Sequence, residues 1–426
     1  MTTAADASGL SVAWWREPTK DQWRAWIAAW LGWVLDAFDF TIFLLLLVPI
    51  ANEFGVSVTA VAAVLTFTLW FRLLGAVGAG WIGDRIGRKA PLMLAVLWFS
   101  ACNFIAGFSP SLTFLFIVRA ALGIGMGAEW PAGASLAMES WPARSRGLMG
   151  GFLQGSWGLG FGLSSVAYWL LFDSVGWRGL FWIAAIPGPI LCAYIRYFVK
   201  EPEVWVQNHR QQREQKREVR SPLMVIFSRA LLGNTLTACW YMAGALVVYY
   251  AVNGLFATWL QQELHAPAAL IATAVLLSNL GMFTAGGLWG WLADRIGRRG
   301  TLVIQASLTC AIAPAYLLTT DLNWIVVGFV LQGPCGSALP CLSPAYMSER
   351  FPTEVRSTAS GFCYHAAVIV AGLVPPVISY FAVERQMGFA VPMLIGTSVG
   401  ALNVIIAVLM GPETKGKVFI PELMKL

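Results

Sequence analysis

Charge is scarce in this chain. Asp, Glu, Lys and Arg make up only 12% of its 426 residues, with three histidines and seven cysteines, while 58% of the residues are hydrophobic. With a mean hydropathy of +0.67, this is not the composition of a soluble domain. The cysteines (Cys102, Cys192, Cys239, Cys310, Cys335, Cys341 and Cys363) include no CxxC pair and have no His at ligand spacing. They read as small packing residues, so no metal, disulfide or cofactor is expected. The Gly-rich run GIGMGAEWPAG at 123–133 lies inside an apolar stretch with no preceding strand and no Gly-Lys-Ser/Thr, which excludes a phosphate loop. No nucleophile set or nucleotide motif points to an enzyme.

What is present is long apolar runs. A bilayer's hydrocarbon, roughly 30 Å thick, needs about 20 apolar residues per helix. Runs of that length fall at 25–50, 57–83, 90–108, 112–138, 147–171, 176–199, 230–262, 268–293, 300–319, 322–346, 356–383 and 386–411. They are continuous and not alternating, so an all-α integral membrane protein with twelve transmembrane helices is expected, not a barrel. The first 24 residues lack an apolar core followed by a small-residue cleavage site, so no cleaved signal is expected. Of the 28 Lys and Arg residues, 24 fall in the termini and connections of one face. By the positive-inside rule both termini are cytoplasmic, in a multi-pass protein of the inner or plasma membrane. The pI near 9.0 reflects that bias and implies no nucleic-acid partner.

The chain repeats itself. GWIGDRIGRK at 80–89 and GWLADRIGRR at 290–299 agree at seven of ten positions, offset by 210. The same offset carries Glu139, Pro142 and Arg146 to Glu349, Pro352 and Arg356, and Pro202-Glu203 to Pro412-Glu413. Two six-helix bundles in the same orientation follow, a parallel repeat. The expected organisation is a cytoplasmic segment 1–24, bundles 25–199 and 230–411, a charged linker 200–229 and a tail 412–426. Gly83, Asp84, Arg85, Arg88, Glu139 and Arg146, with Asp294, Arg295, Arg298, Glu349 and Arg356, read as a duplicated latch on the cytoplasmic face, its arginines facing the cytoplasm.

Five ionisable residues fall inside spans: Asp36, Asp39, Arg72, Arg119 and Glu129. Each costs at least about 2.5–3.5 kcal/mol at mid-bilayer, so by default it faces a cavity or a partner. Asp36 and Asp39 share a helix face. Two carboxylates in a low-dielectric site disfavour each other's charge, which suits them to hold and release a proton. They and Glu129 are the expected proton-coupling sites. Arg72 and Arg119 present planar forks matched to a carboxylate. In the second bundle, Tyr249, Asn253, Asn279, Gln332, Tyr364 and His365 are the polar candidates for substrate contact, with Gln154 and Trp157 in helix 5. Tryptophan and phenylalanine elsewhere are expected mostly at lipid or the interface. Pro340, Pro344, Pro375 and Pro376 mark expected kinks.

The GDRIGRK segment after helix 2, its copy after helix 8, and Arg119 with Gly123, Gly125 and Gly127 resemble the major facilitator superfamily. A narrower likeness lies in LDAFDF at 35–40, Arg72, AEW at 128–130, MESWPARSRG at 138–147, GWRGLFWIAAIP at 176–187 and KEPEVW at 200–205. These are similar to the sialate/lactate:proton symporter family, although helix 7 lacks that family's Ser-His motif. The resemblance implies proton-driven symport of an organic carboxylate, a lactate- or pyruvate-like acid or a sialic acid, by a carrier active as a monomer in membrane lipid. It also implies that Arg119 lies near the Asp36–Asp39 pair. A sugar porter, suggested by PETKG at 412–416, an organic-anion/proton antiporter and a nontransporting sensor are the alternatives.

Overall fold

The computed structural model describes residues 13–420, and among them the fold is all helix; the remainder of the expected segments 1–24 and 412–426 lies outside the described residues. Helix α1 (Lys20–Leu45) begins ahead of its apolar run because Thr19 and Gln22 form a capping box. It ends at Leu46, and a short helix, Leu47–Phe54, continues it. Helices α2 (Val58–Ile86), α3 (Lys89–Ala106) and α4 (Leu112–Ser140) follow. Ser57 and Ser111 cap α2 and α4 by accepting from the backbone three residues on.

Among the described residues, eleven stretches are long and apolar enough to cross a membrane. One of them, Ala143–Phe198, holds 56 residues, about 84 Å as a single helix and far too long for one crossing. It is broken at Gly176, whose φ of 64° and ψ of −175° no helix contains. The halves are α5 (146–175) and α6 (177–198), so the chain makes twelve crossings.

The second half comprises α7 (Leu232–Asn253), α8 (Ala268–Ile296), α9 (Arg298–Leu317), α10 (Leu322–Arg350), α11 (Arg356–Glu384) and α12 (Ala390–Met410). Two of these are irregular. In α10 a π turn at Gly333–Ser337 and a 3-10 turn at Leu339–Leu342 surround Pro334 and Pro340. In α11 the helix restarts at Val374–Ser379, beside Pro375 and Pro376, and ends in a π turn. Missing proline donors and ring clashes explain both interruptions.

The seam between the halves is built on glycine. A Cβ on Gly151 of α5 would stand 1.9 Å from the carbonyl oxygen of Gly286 of α8, and one on Gly290 would stand 2.1 Å from that of Gly147. On the other side, a Cβ on Gly80 of α2 would stand 2.6 Å from Thr358 Cα of α11. Only backbone against backbone fits there. Large apolar side chains such as Trp169, Leu288 and Leu74 face outward, as a lipid-facing surface requires.

Most tryptophans are exposed or partly exposed, as expected, but a subset is not. Trp26, Trp33, Trp130, Trp141, Trp157 and Trp177 are buried, where their N–H groups find partners instead of the interface.

Candidate functional site

At the centre, Arg72 of α2 donates to Asp36 of α1 in a buried ion pair. The guanidinium also stands 5.8 Å from the Trp157 ring. Arg72 lines a cavity of about 30 Å³ between the halves, together with Gln154, Trp157, Leu246, Tyr249, Tyr250, Met282, Pro340, Tyr364 and Val368. Such a volume holds about one or two waters. The lining is aromatic, and much of its hydrogen bonding is internal. Trp157 Nε1 donates to the Tyr249 hydroxyl at 3.1 Å, and Gln154 Nε2 to the Tyr364 hydroxyl at 3.0 Å. Trp130 Nε1 donates to Gln154 Oε1 at 2.9 Å while its ring lies 4.2 Å from Tyr364.

Of the sequence candidates, Arg72, Gln154, Trp157, Tyr249 and Tyr364 meet at this cavity; the others stand elsewhere. Arg119 is wholly buried, with Nη1 on Asn103 Oδ1 at 3.3 Å and its guanidinium 4.3 Å from the Phe43 ring. No carboxylate pairs with it among the described residues. Asp39 is buried beside Asn103, and Oε2 of Glu129 has no hydrogen-bond partner among the described residues. Asn253 donates to Ser337 Oγ at 2.6 Å beside the π turn. Asn279 Nδ2 donates back to the Val275 carbonyl, and Gln332 Nε2 reaches toward the Thr309 carbonyl at 3.5 Å, within the second half. His365 rests its Nδ1 on the Gly361 carbonyl at 3.0 Å.

The latch residues form two matching clusters on the Arg-rich face. Arg88 grips Glu139 with Nε and Nη2 at 3.0 and 2.8 Å, and Arg298 grips Glu349 at the same two distances. Each half then reaches across. Asp84 accepts from the N–H groups of Ser357 and Thr358 at 3.0 Å, and Asp294 from Gly147 and Leu148 at 2.9 Å. Neither α11 nor α5 has a side-chain cap of its own, so each half's aspartate satisfies the other's exposed helix start. Arg356 pairs with Glu139 at 2.7 Å, and Arg146 with Glu349 at 3.4 Å. The clusters tie the two halves together on this face.

One expectation is corrected here. Arg88 and Arg298 do not face outward; they are 0% and 1% exposed. Only Arg85 and Arg295 are at the surface, lying over Trp81 and Trp291. One contact of the repeat does not follow the 210 offset. Glu413 accepts from the N–H groups of Arg298 and Arg299, the start of α9. Its counterpart at the start of α3 is Glu201, on Arg88 and Lys89, at an offset of 212, and not Glu203. Burial pushes the Glu413 carboxyl up, but four backbone N–H groups outweigh it and hold it below the ordinary range. At Glu201 burial prevails, and its carboxyl is pushed up.

Sequence reasoning missed Trp33, Trp130, Tyr250, Asn103, Ser357 and Thr358. Only Trp130 carried a signal, as the neighbour of Glu129. The PETKG tail serves the latch here: Thr414 Oγ1 donates to Glu349 at 2.7 Å, and Lys415 Nζ to the Arg295 carbonyl at 2.6 Å.

Comparison with known proteins fits this architecture. The chain is 29% identical over 411 residues to a probable 4-methylmuconolactone transporter of Cupriavidus pinatubonensis, covering 95% of this chain and 94% of that one. It is 25% identical to the sialic acid transporter NanX of Escherichia coli, over 96% and 98% of the two chains. It is 26% identical to the cis,cis-muconate transport protein of Acinetobacter baylyi, over 94% and 96%. The proton:xylose symporter XylE shares the fold with a TM-score of 0.73 at 18% identity, over 94% of this chain and 98% of that one. The sequence matches the Major Facilitator Superfamily over residues 29–258 and 242–423. With twelve crossings in two repeated halves around one central cavity, the chain belongs to the Major Facilitator Superfamily and is a membrane transporter, not an enzyme.

Proposed function

We propose that this protein is a proton-coupled symporter that imports an organic carboxylate, working as a monomer in the inner membrane with both termini cytoplasmic. One observation carries the reading: Arg72 lines the central cavity while its guanidinium is held by Asp36. An incoming carboxylate and Asp36 compete for the same planar fork. Protonation of Asp36 frees the cation for the substrate, and loss of that proton draws the cation back into the ion pair. Binding of the anion is thereby tied to uptake of a proton.

The lining narrows the class. Trp157, Tyr249, Tyr250 and Tyr364 offer flat faces, and three of these four already commit a polar group to another protein side chain. A flat, unsaturated carboxylate suits such a site better than a polyhydroxylated acid, whose buried hydroxyls would lack partners. The cis,cis-muconate transport protein and the probable 4-methylmuconolactone transporter among its relatives support this preference over the sialic acid relative.

The test is uptake into proteoliposomes of labelled lactate, pyruvate, a sialic acid, cis,cis-muconate, an aromatic acid and a neutral hexose, with and without an inward proton gradient. The expected result is that an unsaturated acid accumulates only with the gradient, and that Asp36→Asn loses accumulation while keeping exchange. Uptake of the hexose, or normal accumulation by Asp36→Asn, overturns the reading.

A further inference from the structure

The central cavity has a smaller neighbour. About 10 Å³ of space, room for one water, lies between α1, α4 and α5 against Trp33, Glu129, Leu153 and Gln154. Gln154 lines both spaces. It is pinned in place by three bonds: its carbonyl accepts from Trp33, its Oε1 from Trp130, and its Nε2 donates to Tyr364. Glu129 is 1% exposed, has no ion-pair partner among the described residues, and keeps Oε2 unbonded. Room for this carboxyl is made by glycine. A Cβ on Gly32 would stand 2.5 Å from Glu129 Oε1, and one on Gly133 would stand 3.0 Å from it.

Gly32 is one turn before Asp36 on the same face of α1, so Glu129 sits about one turn closer than Asp36 to the Arg-rich face. Beyond it the way is closed by Trp26, whose Nε1 donates to the Met149 carbonyl at 3.0 Å. The charges acting on Glu129 are Asp36 and Arg72. From α11 the nearby titratable groups are Tyr364 and His365, both packed against Trp130, and α5 contributes only the neutral Gln154 at this cavity.

We propose that Glu129 is the internal store for the transported proton after it leaves Asp36, and that Gln154 is the positioning residue that separates this store from the substrate cavity. The inference rests on the symport reading above. The protonated Asp36 carboxyl gives its proton, by way of a water admitted between them, to the Glu129 carboxylate, which lies against Gly32 one turn away on α1. Asp36, ionised again, recaptures Arg72 and displaces the substrate carboxylate. The neutral Glu129 then keeps its proton until the packing around Trp26 opens.

The experiment compares wild type, Asp36→Asn, Glu129→Gln, Gln154→Ala and Gly32→Ala in proteoliposomes with labelled cis,cis-muconate, alongside infrared difference spectra of each purified protein across pH steps. A one-unit inward pH gradient with one proton per anion supports about tenfold accumulation. Glu129→Gln is expected to fall to equal concentrations while keeping gradient-free counterflow, and to lose a titrating carboxyl band. Gln154→Ala is expected to leak protons without substrate. Gly32→Ala, which crowds the carboxyl without removing it, keeps counterflow and loses accumulation even if Glu129→Gln folds poorly. Wild-type accumulation by Glu129→Gln with loss in Asp36→Asn overturns the store and leaves symport standing; wild-type accumulation by both overturns both. The infrared band needs no substrate, and its persistence in Glu129→Gln overturns the proposal by itself.

Discussion

Arg72 on α2 and Asp36 on α1 form an ion pair in which the side chains are 5% and 0% exposed, at the point where the two bundles face the shared cavity. Removing one partner strands the other in low dielectric, which costs about 3–5 kcal/mol. Arg72→Ala is therefore expected to lower the thermal midpoint and abolish substrate binding. Arg72→Ala with Asp36→Asn should recover much of the stability and none of the binding. Fluorescence-detected melting and ligand-induced stabilisation read the two effects separately. Arg72→Lys should bind weakly, because a point charge replaces a planar fork.

The latch predicts an asymmetry. Asp84 accepts a third bond that Asp294 lacks, from the Thr358 hydroxyl at 2.7 Å, where the repeat places Leu148. Each charge-assisted bond is worth about 1.5–3 kcal/mol. Asp84→Asn should open the Arg-rich face more than Asp294→Asn does. Spin labels at the exposed positions Arg85 and Arg295 should show a longer distance in the first variant than in the second.

The α5–α8 seam tolerates no side chain. With the Gly286 carbonyl oxygen only 1.9 Å from a Cβ at position 151, Gly151→Val must part the two helices along their contact. The expected outcome is a folded protein, monodisperse on size exclusion, with transport reduced by at least about tenfold, a barrier change near 1.4 kcal/mol. Gly78→Val, where nothing lies within 4 Å of a Cβ, should transport normally.

The two cap carboxylates respond to pH with opposite sign. Glu413 has a depressed folded pKa, so it stabilises above its unfolded pKa and loses that stabilisation as pH falls through the folded one. Glu201 has a raised folded pKa, so its contribution is present below the unfolded value and is lost as pH rises through the folded one. Glu413→Gln should therefore lower the melting temperature at pH 7 and cost progressively less as the pH is taken below the ordinary carboxylate range. Glu201→Gln should be tolerated better at pH 7 than Glu413→Gln. As Glu413 is about half exposed, its cost is expected near the lower end of a capping loss, about 0.5–1 kcal/mol.

Crossing number, repeat and latch were legible because each rests on local patterns: apolar length, a shared offset and charge placement. Asp36, Arg72 and Glu129 stood out because a charge in an apolar run has no cheap explanation. Glu201 carried no signal in the sequence because the N–H groups it caps are fixed by the fold of the linker, and the chain reaches them two residues earlier in the first half than in the second. The buried tryptophans could not be told from the lipid-facing majority because burial of an indole depends on whether a distant carbonyl is there to accept its N–H, as Met149 does for Trp26.

The sequence by itself determined that this is a twelve-helix membrane protein with a duplicated plan and buried charges, since hydrophobic length and periodic repetition act along the chain. Tertiary structure decided which charges meet. Arg72 and Arg119 are both arginines in apolar helices, yet one pairs with Asp36 at the cavity and the other lies against Phe43 behind it. That difference comes from how α1, α2 and α4 pack against one another, a matter of helix rotation and close glycine contacts that no single stretch of sequence encodes.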